Sequence, residues 1–486
     1  MRGGCATRLG ALIVSSLIGF ALAEASRADD GFRLSPKVGW SSGEHHLDLG
    51  FSSRYRLESF RAFTSSWDTF HSFRTRLGGQ YRYGDLFRLV AQGQHTAVVG
   101  LGADTSGTGA LYRSNSRSGD SSNVDAFYLS QLYAELGADI GWVRAGREFV
   151  KEGTYVDYEE PEWRYLKGTR VAQRLLGTVG WTAVERAYDG AHGLGRFGGH
   201  TFHAFLLEPT TGVIDVERGY RRNRDIVIGG LDYTLGRETW RKDTELGAFF
   251  MVYEDHRNAE DVSGLFGDID LYTLGARWLG IYPLGAGRID ALLWGAFQFG
   301  DYVDQGSSGR VRTRDQRAGA LIAELGYERP DLWASPHLRA GVNYASGDDD
   351  PDDGTRNTFF NLLPTNHGFY GNLDQFAFQN LVDVLVQLRL EPLTKLSLEL
   401  AYHRFWLAEK EDFRWAGTGA FSTNSLGYAR NPSNGSTDAG HEIDLSATVP
   451  VHHTTSLKTG YSRLWGGDVF GNDDEDWFWV QLEVQY

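Results

Sequence analysis

A strict alternation of apolar and polar residues is the feature that most limits what this chain can fold into. The chain's final residues, 477–486, read WFWVQLEVQY. One set of alternate positions is Phe478, Val480, Leu482, Val484 and Tyr486, and the other is Trp477, Trp479, Gln481, Glu483 and Gln485. Successive side chains of a β-strand point to opposite faces, so the pattern predicts a strand between an apolar and a polar environment.

Similar period-two segments recur along the whole chain. In residues 381–390 every even-numbered position is valine or leucine, whereas Asp383, Gln387 and Arg389 lie on the other face. We count about eighteen such segments by this alternation. Their centres lie near residues 51, 77, 92, 132, 144, 187, 204, 230, 249, 274, 294, 322, 342, 386, 401, 445, 461 and 481. The 61 glycines, 11 prolines and 13% aromatic residues are more typical of strands joined by polar loops than of a helical protein.

The connections between these segments alternate between long and short. Long stretches at about residues 59–70, 102–123 and 149–182 alternate with short turns at residues 83–85 and 137–141. In an antiparallel meander whose two ends face different compartments, long loops lie at one end and short turns at the other, so their lengths alternate along the chain. The topology of a Greek-key sandwich does not produce this alternation. We therefore predict an all-β fold, a transmembrane antiparallel up-and-down β-barrel of eighteen strands. A secreted soluble β-protein is the alternative.

Lipid makes closure of such a barrel obligatory, because every backbone N–H and C=O must be paired. The last strand is therefore expected to pair with the first, with its aromatic end at the membrane interface. Side chains cannot fill a barrel of this width, so we expect a lumen that is either a water-filled channel or plugged.

The first residues of the chain are separate from the predicted barrel. Arg2 and Arg8 flank the start of an apolar stretch, residues 9–23, that ends in small-residue cleavage patterns, which is typical of a secretory signal peptide. The predicted division is a signal peptide at residues 1–23, a periplasmic segment at 24–43, and a barrel at 44–486 with long extracellular loops and short periplasmic turns.

Composition excludes several classes of function. Cys5, the single cysteine, lies in the signal peptide, so we expect no disulfide, thiol catalyst or cysteine metal site in the mature chain. Removal of the signal peptide takes away Arg2 and Arg8 and changes the formal net charge from −15 to −17. An acidic chain without a basic tail argues against a nucleic-acid partner. The sequence contains no zinc-protease motif and no nucleophile elbow, and we expect no enzyme activity.

The polar faces of several predicted strands carry arginines. A cation that faces lipid near the membrane centre costs about 2–4 kcal/mol, so these side chains are expected to face the lumen. The predicted pathway residues are Arg54, Arg56, Arg74, Arg76, Arg88, Glu135, Arg144, Arg339, Asp383 and Arg389. Two interpretations stay open. The arginines form a basic ladder that binds the carboxylates of a polyanion weakly enough to release them, or they pair with acidic neighbours in the lumen.

Two loops carry further candidates. Residues 148–177 are too long for a simple turn, and we expect part of this segment to enter the lumen rather than pack on the rim. Its aromatic and basic residues suit stacking on sugars and pairing with carboxylates, and the candidates for a constriction are Tyr158, Trp163, Arg164 and Arg170. In the acidic loop GDDDPDDG, Asp348, Asp350 and Asp352 are weak candidates for a Ca²⁺ site, against the simpler interpretation of a solvated external loop. A third interpretation is that this loop folds inward as a constriction. We expect no other cofactor.

Four stretches of the chain resemble the alginate export porin family. They are LYAELGADIGWVRAGRE at 132–148, VERAYDGAHG at 184–193, YASGDDDPDDGTRNTFFNLLPTNHGFYG at 344–371 and QNLVDVLVQLRLEPLTKLSLELAYHRFWLAE at 379–409. The resemblance covers roughly residues 40–486. It implies an eighteen-stranded outer-membrane barrel that passes an anionic exopolysaccharide through an electropositive pore narrowed by charged side chains and loops. Because the family is broader than alginate exporters, the resemblance implies fold and compartment more firmly than it implies the polymer.

From the residues and the resemblance together, we expect a channel in the outer membrane of a Gram-negative bacterium that exports alginate or a related polyuronate by passive diffusion. The expected partners are the anionic polysaccharide, membrane lipid with lipopolysaccharide, and a periplasmic secretion scaffold. Two alternatives stay open: an uptake porin for small anionic solutes, and a barrel that anchors a surface or adhesive protein.

Overall fold

The computed structural model contains a closed antiparallel barrel of eighteen strands, as the alternation predicts. It describes residues 38–62, 66–102, 106–116, 121–223, 225–257, 268–305, 311–393, 395–420 and 430–486. The barrel strands are β1 (His45–Ala62), β2 (Asp68–Tyr83), β3 (Phe87–Val99), β4 (Asn123–Ala138), β5 (Gly141–Glu148), β6 (Tyr188–Phe197), β7 (His200–Pro209), β8 (Ile226–Leu235), β9 (Thr244–Asp255), β10 (Ile269–Leu284), β11 (Gly287–Gln305), β12 (Val311–Glu328), β13 (His337–Ala345), β14 (Leu381–Leu393), β15 (Leu396–Trp406), β16 (Asp438–His452), β17 (Thr455–Trp465) and β18 (Asp474–Gln485).

Short elements lie outside this set of strands. The predicted signal peptide at 1–23 with Cys5, and residues 24–37 of the predicted periplasmic segment, lie outside the described residues. The short strands are Val38–Ser42, which pairs with the start of β1, Thr355–Arg356, which pairs with β12, and Arg414–Trp415, which pairs with Arg430–Asn431. The helical segments are Gly107–Ser114, Pro161–Tyr165, the π-helical Leu166–Val171, Gly417–Ala420 and Asp468–Phe470. None of the helices in the described part of the chain combines the length and the apolar character needed to span a membrane.

The barrel closes between its first and last strands. Ser52 of β1 lies opposite Gln485 of β18, and the two strands stay paired as far as Ala62 and Glu475. The terminal residue, Tyr486, extends this pairing by accepting a hydrogen bond from the backbone N–H of Phe51 at 2.8 Å and donating one to the Phe51 carbonyl at 2.7 Å. Closure gives the first and last barrel strands, β1 and β18, a partner along both edges, as lipid requires of a membrane-spanning sheet.

The two faces of the last strand differ in the way the alternation predicts. Phe478, Leu482 and Tyr486 are 39%, 41% and 56% exposed and form part of the outer surface. Trp477 and Gln481 point inward and are only 1% and 4% exposed, because other parts of the chain pack against them. The apolar outer face and polar inner face fit a barrel with lipid outside and a polar interior.

Strand positions agree closely with the predicted centres, with two differences. Residue 187 lies just before β6 rather than within it. The connection predicted at about residues 59–70 is shorter, because β1 and β2 continue to Ala62 and Asp68. Phe60 and Phe70 extend the inward faces of these strands, and their stacked side chains, with centroids 6.3 Å apart, stabilise the extra pairing.

Two long loops turn into the barrel, and we name them the first inner loop (residues 149–187) and the second inner loop (residues 346–380). They meet where Leu176 pairs with Leu363 as an isolated bridge. The side chains of Leu175, Leu176, Phe360 and Leu363 are fully buried. The apolar core of this protein therefore lies within the lumen, between the inner loops and the barrel wall.

Candidate functional site

Three arginines on the inward faces of β1 and β2 converge on one part of the first inner loop. Arg54 Nη1 and Arg74 Nη1 each donate a hydrogen bond of 3.0 Å to the carbonyl oxygen of Gly180. Arg76 Nη2 lies 2.6 Å from Glu185 Oε2, and Arg74 Nη1 lies 3.3 Å from the same oxygen. Strand parity places these guanidinium groups on the lumen side, and the loop brings its oxygen atoms to them.

Glu185 is almost fully buried, at 4% exposure, and both of its carboxylate oxygens accept hydrogen bonds. Thr178 Oγ1 donates to Oε1 at 2.8 Å, and Arg76 donates to Oε2. Burial by itself would raise the pKa of Glu185, but the guanidinium groups of Arg76 and Arg74 lower that pKa to about 2. The loop therefore carries a fixed negative charge between two wall arginines at neutral pH.

The reverse arrangement occurs on the opposite side of the lumen, where a wall glutamate binds loop arginines. Glu324 of β12 accepts hydrogen bonds from Arg170 Nε at 2.6 Å and Arg174 Nη2 at 3.0 Å, both from the first inner loop. Arg339 of β13 donates to Glu324 at 2.8 Å, and Arg170 also pairs with Asp290 of β11. The side chains of Arg170 and Glu324 are 1% and 0% exposed, so their contact is buried, whereas Arg170 and Asp290 also border a cavity of about 250 Å³.

The helical part of the first inner loop reaches the wall at β9. The hydroxyl group of Tyr158 donates to Glu245 Oε2 at 2.6 Å, and Lys167 Nζ lies 2.7 Å from the same oxygen. Trp163 packs against Tyr158 with ring centroids 5.0 Å apart and is 2% exposed. Arg164 is exposed, and its Nε donates to the Tyr158 carbonyl at 2.9 Å. All four predicted constriction candidates thus belong to a segment in contact with the inner wall.

Some predicted pathway residues instead pair with one another along the wall. Arg144 donates to Glu135 Oε2 at 2.7 Å and to Glu148 Oε1 at 2.6 Å. Arg88 Nε donates to Gln80 Oε1 at 2.9 Å. The contacts of Arg144 are of the kind that the second interpretation describes, pairing with acidic neighbours in the lumen, whereas the partner of Arg88 is an uncharged amide.

Two further predicted residues lie away from the Glu185 cluster. Arg389 pairs with Glu391 at 3.0 Å and lies over the Tyr165 ring, 4.3 Å from its centroid. Asp383 is fully buried and accepts a hydrogen bond of 2.8 Å from Asn343. The structure therefore divides the predicted pathway residues into separate groups and does not give one continuous ladder.

Two cavities border the arginines of β1 and β2. The larger has a volume of about 570 Å³, and its charged lining residues are Arg76, Arg144, Glu148, Lys151, Asp157, Arg164, Lys167 and Glu185. The smaller has a volume of about 270 Å³ and is lined by Arg54, Arg56, Arg74, Gly180, Trp181, His367, Lys458, Trp477, Trp479, Gln481 and Glu483. In the smaller cavity Arg56 donates to Gln481 Oε1 at 2.9 Å, and its guanidinium carbon lies 5.7 Å from the ring centroid of Trp479.

The acidic loop GDDDPDDG holds its carboxylates through contacts within the protein. Asp348 pairs with Arg314 of β12, and Arg312 Nη2 lies 3.4 Å from Asp352 Oδ1. Asp350 Oδ1 accepts a hydrogen bond of 3.1 Å from the backbone of Asp352. Within the described ranges, no three His, Cys, Asp or Glu side chains are grouped closely enough to hold a metal ion.

A family model described as alginate export matches residues 45–477 of this chain. The chain belongs to the alginate export family. A search of curated proteins returns no match. Among solved structures, Pseudomonas aeruginosa OpdK aligns with a TM-score of 0.55 at 11% identity over 90% of this chain and 99% of OpdK. P. aeruginosa OccK2 (OpdF), solved in complex with glucuronate, aligns with a TM-score of 0.52 at 11% identity over 90% and 96% of the two chains. At such low identity these structures support the barrel fold alone.

Family and architecture together define the compartment. A closed barrel with an apolar outer face, in a member of the alginate export family, is an outer-membrane channel of a Gram-negative bacterium. The resemblance seen in the four sequence stretches is thus confirmed, and so is the location.

Sequence analysis left open an inward fold of the acidic loop, but it did not identify the apolar part of the second inner loop as part of the lumen. Gln298 of β11 accepts a hydrogen bond from the backbone of Phe360 and donates one to the Phe360 carbonyl, both at 2.7 Å. Glu442 of β16 accepts a hydrogen bond of 3.0 Å from the backbone of Leu373. The signal was present in the run FFNLLP at 359–364, because an apolar run in a loop between polar stretches predicts burial.

Proposed function

We propose that this member of the alginate export family is a passive channel that exports an anionic exopolysaccharide, alginate or a related polyuronate. The observation that carries the proposal is the group of Arg54, Arg56, Arg74 and Arg76, which border the two cavities on the inward faces of β1 and β2. Each guanidinium offers forked donors to a carboxylate, and a polyuronate carries one carboxylate on every sugar.

Charge in the larger cavity supports an anionic cargo. Cationic side chains outnumber carboxylates in its lining, although the whole chain is acidic. A confined space with an excess of one charge raises the local concentration of the opposite ion. Hydrated arginine–carboxylate pairs contribute only about 0–1 kcal/mol each, so a polymer can be attracted without being trapped.

Aromatic side chains in the smaller cavity support a sugar as the cargo. Trp181, Trp477 and Trp479 lie beside Arg56 and Lys458. Flat indole rings offer packing surfaces to the apolar faces of a sugar ring, while neighbouring cations bind its carboxylate.

An uptake porin for small anionic solutes is the second candidate, and the size of the cavities favours it. Both inner loops cross the lumen, and the cavities of about 570 and 270 Å³ suit a few sugar rings rather than a free polymer chain. OccK2, a structure with a similar fold, was solved with the monomeric uronate glucuronate.

Conductance of the purified protein in planar bilayers tests the proposal. Under a KCl gradient we expect a reversal potential that shows preference for chloride, because the cavities are lined by arginines. Oligouronates added on the periplasmic side should block this current at lower concentrations than glucuronate does, since an oligomer contacts several guanidinium groups at once.

A preference for potassium would overturn the proposed pathway. Chloride preference with glucuronate permeation and no block by oligouronates would favour uptake of small anions. A barrel that conducts no ions in any condition would favour the surface-anchor alternative.

A further inference from the structure

Glu185 occupies a place in the lumen that suits the carboxylate of a ligand. Its Oε2 atom lies 2.6 Å from Arg76 and 3.3 Å from Arg74, and these arginines come from the barrel wall rather than from its own loop. Arg76 is also held by Gln94, whose Oε1 accepts a hydrogen bond from Arg76 Nε at 2.6 Å. The pair of guanidinium groups is thus a preformed carboxylate site with a carboxylate of the protein bound in it.

This site lies where the two cavities adjoin. Arg76 and Glu185 line the larger cavity, whereas Arg74 and Gly180 line the smaller one. The segment from Gly180 to Glu185 therefore separates the two spaces, and an anion that passes from one to the other crosses the Arg74–Arg76 pair.

Other contacts hold the segment in place without using the Glu185 carboxylate. Tyr112 accepts a hydrogen bond of 2.8 Å from the backbone of Ala183, and Tyr220 donates one of 2.6 Å to the Val184 carbonyl. Gln94 Nε2 donates to the same carbonyl at 2.9 Å. The carboxylate can therefore leave the arginines by side-chain rotation while the backbone stays attached.

The backbone at Glu185 is strained in a way that suits a functional position. Its φ angle is +75°, in the left-handed region that glycine favours. The strain is maintained by pairing with Val213, which itself has a φ of +57°. Strained backbone conformations of this kind cost about 1–3 kcal/mol and concentrate at ligand-binding sites.

We propose that Arg74 and Arg76 form a carboxylate-binding site for the cargo, that Glu185 occupies it at rest, and that a uronate carboxylate replaces Glu185 during passage. The inference rests on the proposed function for the identity of the cargo. Exchange of one carboxylate for another keeps both arginines paired, which avoids the large cost of a buried unpaired charge. Glu185 thus competes with the cargo and sets how tightly the channel binds anions.

Substitution Glu185→Gln tests the proposal, because glutamine keeps the size of the side chain and removes its charge. In planar bilayers the chloride-to-potassium permeability ratio should rise several-fold, and the glucuronate concentration that halves the current should fall about tenfold. Glu328→Gln is the matched control, since Glu328 also pairs with an arginine, Arg288, at 2.7 Å but borders a separate cavity of about 250 Å³ rather than either of the two beside Arg74 and Arg76. Glu185→Asp keeps the charge and should stay close to wild type.

A result in which Glu185→Gln and Glu328→Gln have the same permeability ratio and glucuronate sensitivity would overturn the exchange site. Heat-modifiable migration in gels shows whether each variant keeps a folded barrel. If Glu185→Gln fails to fold, an Arg74→Gln variant with the selectivity and glucuronate sensitivity of wild type would overturn the exchange site. The two proposals fail separately. Wild type that is insensitive to uronates contradicts the proposed function, whereas the chloride ratio of Glu185→Gln still tests the site.

Discussion

The lumen contains two arginine–carboxylate clusters that use the same chemistry with opposite polarity. At β1 and β2 the wall supplies the cations, Arg74 and Arg76, and the first inner loop supplies the carboxylate of Glu185. At β12 the wall supplies the carboxylate of Glu324, and the loop supplies Arg170 and Arg174.

Solvent access also separates the two clusters. The side chains of Arg74 and Arg76 are 11% and 14% exposed and border cavities. At the other cluster Glu324 is 0% exposed and the loop arginines are 1% exposed, although Arg170 borders a separate cavity of about 250 Å³. If the first inner loop moved away from the wall, its Glu185 would leave exposed arginines on β1 and β2. Its Arg170 and Arg174 would leave the carboxylate of Glu324 exposed on β12. An anionic cargo therefore finds new cationic partners only when the loop moves at β1 and β2. The cluster at β12 serves as the anchor of the first inner loop.

Loss of the anchor should have the largest effect. Glu324→Gln removes the carboxylate that three buried arginines share, and breaking such a buried pair costs about 3–5 kcal/mol. We expect the first inner loop to leave the wall, with a several-fold rise in single-channel conductance and new protease cleavage between residues 160 and 175.

Glu328→Gln on the same strand is the control for the anchor. Its partner, Arg288, is 31% exposed, and loss of such a pair costs no more than about 1 kcal/mol. Equal conductance and equal cleavage in the two variants would mean that Glu324 does not anchor the loop, and the contrast between the clusters would then be lost.

Removal of the wall cations should have an intermediate effect, on selectivity rather than on pore size. Arg74→Gln combined with Arg76→Gln should lower the chloride-to-potassium permeability ratio by roughly a factor of five, or about 1 kcal/mol. Arg88→Gln is the control, because Arg88 pairs with Gln80 and lines neither cavity. A comparable decrease for Arg88→Gln would show that lumen arginines act only through their total charge.

The smallest expected effect is a change with pH at Asp412, a buried carboxyl group that accepts hydrogen bonds from uncharged donors. Asp412 accepts hydrogen bonds from Thr358 Oγ1 at 2.6 Å and from the backbone of Asp348 at 3.1 Å. Burial raises the pKa of Asp412 to about 6. The stabilisation from its neutral form is therefore complete at low pH and is lost as pH rises through about 6.

Fluorescence of Trp415, which is buried nearby in the same loop, should report this titration between pH 4 and 8. Asp412→Asn should abolish the transition and keep the low-pH signal. Glu185, with its pKa of about 2, should contribute nothing in this range. A transition that persists unchanged in Asp412→Asn would assign it to another group.

Much of the fold could be predicted from the sequence because the alternation that indicates each strand lies within a few consecutive residues. Asp383 and Val384 are neighbours in the chain, and their opposite exposures, 0% and 36%, follow from strand geometry alone. The same rule placed Arg54 and Arg144 inside the barrel. The extra length of β1 and β2 was missed, because Phe60 and Phe70 extend the strands through contact with each other.

The candidate site was predictable only in part. Tyr158, Trp163 and Arg170 were identified as members of a loop that enters the lumen, because the loop is long and rich in aromatic and basic residues. Their partners Glu245 and Glu324 could not be paired with them, since the pairing depends on how the loop crosses the barrel.

The sequence by itself determined the alternating strands and the side of the wall on which each arginine lies, because a period of two residues is set by neighbouring residues. It also determined the closed barrel, because backbone groups in lipid must all be paired. Only the tertiary structure decided which charges meet. Arg74 and Glu185 are 111 residues apart in the chain, and Arg170 and Glu324 are 154 apart. Contacts over such distances are set by the path of the inner loops through the lumen, which packing against the whole wall determines.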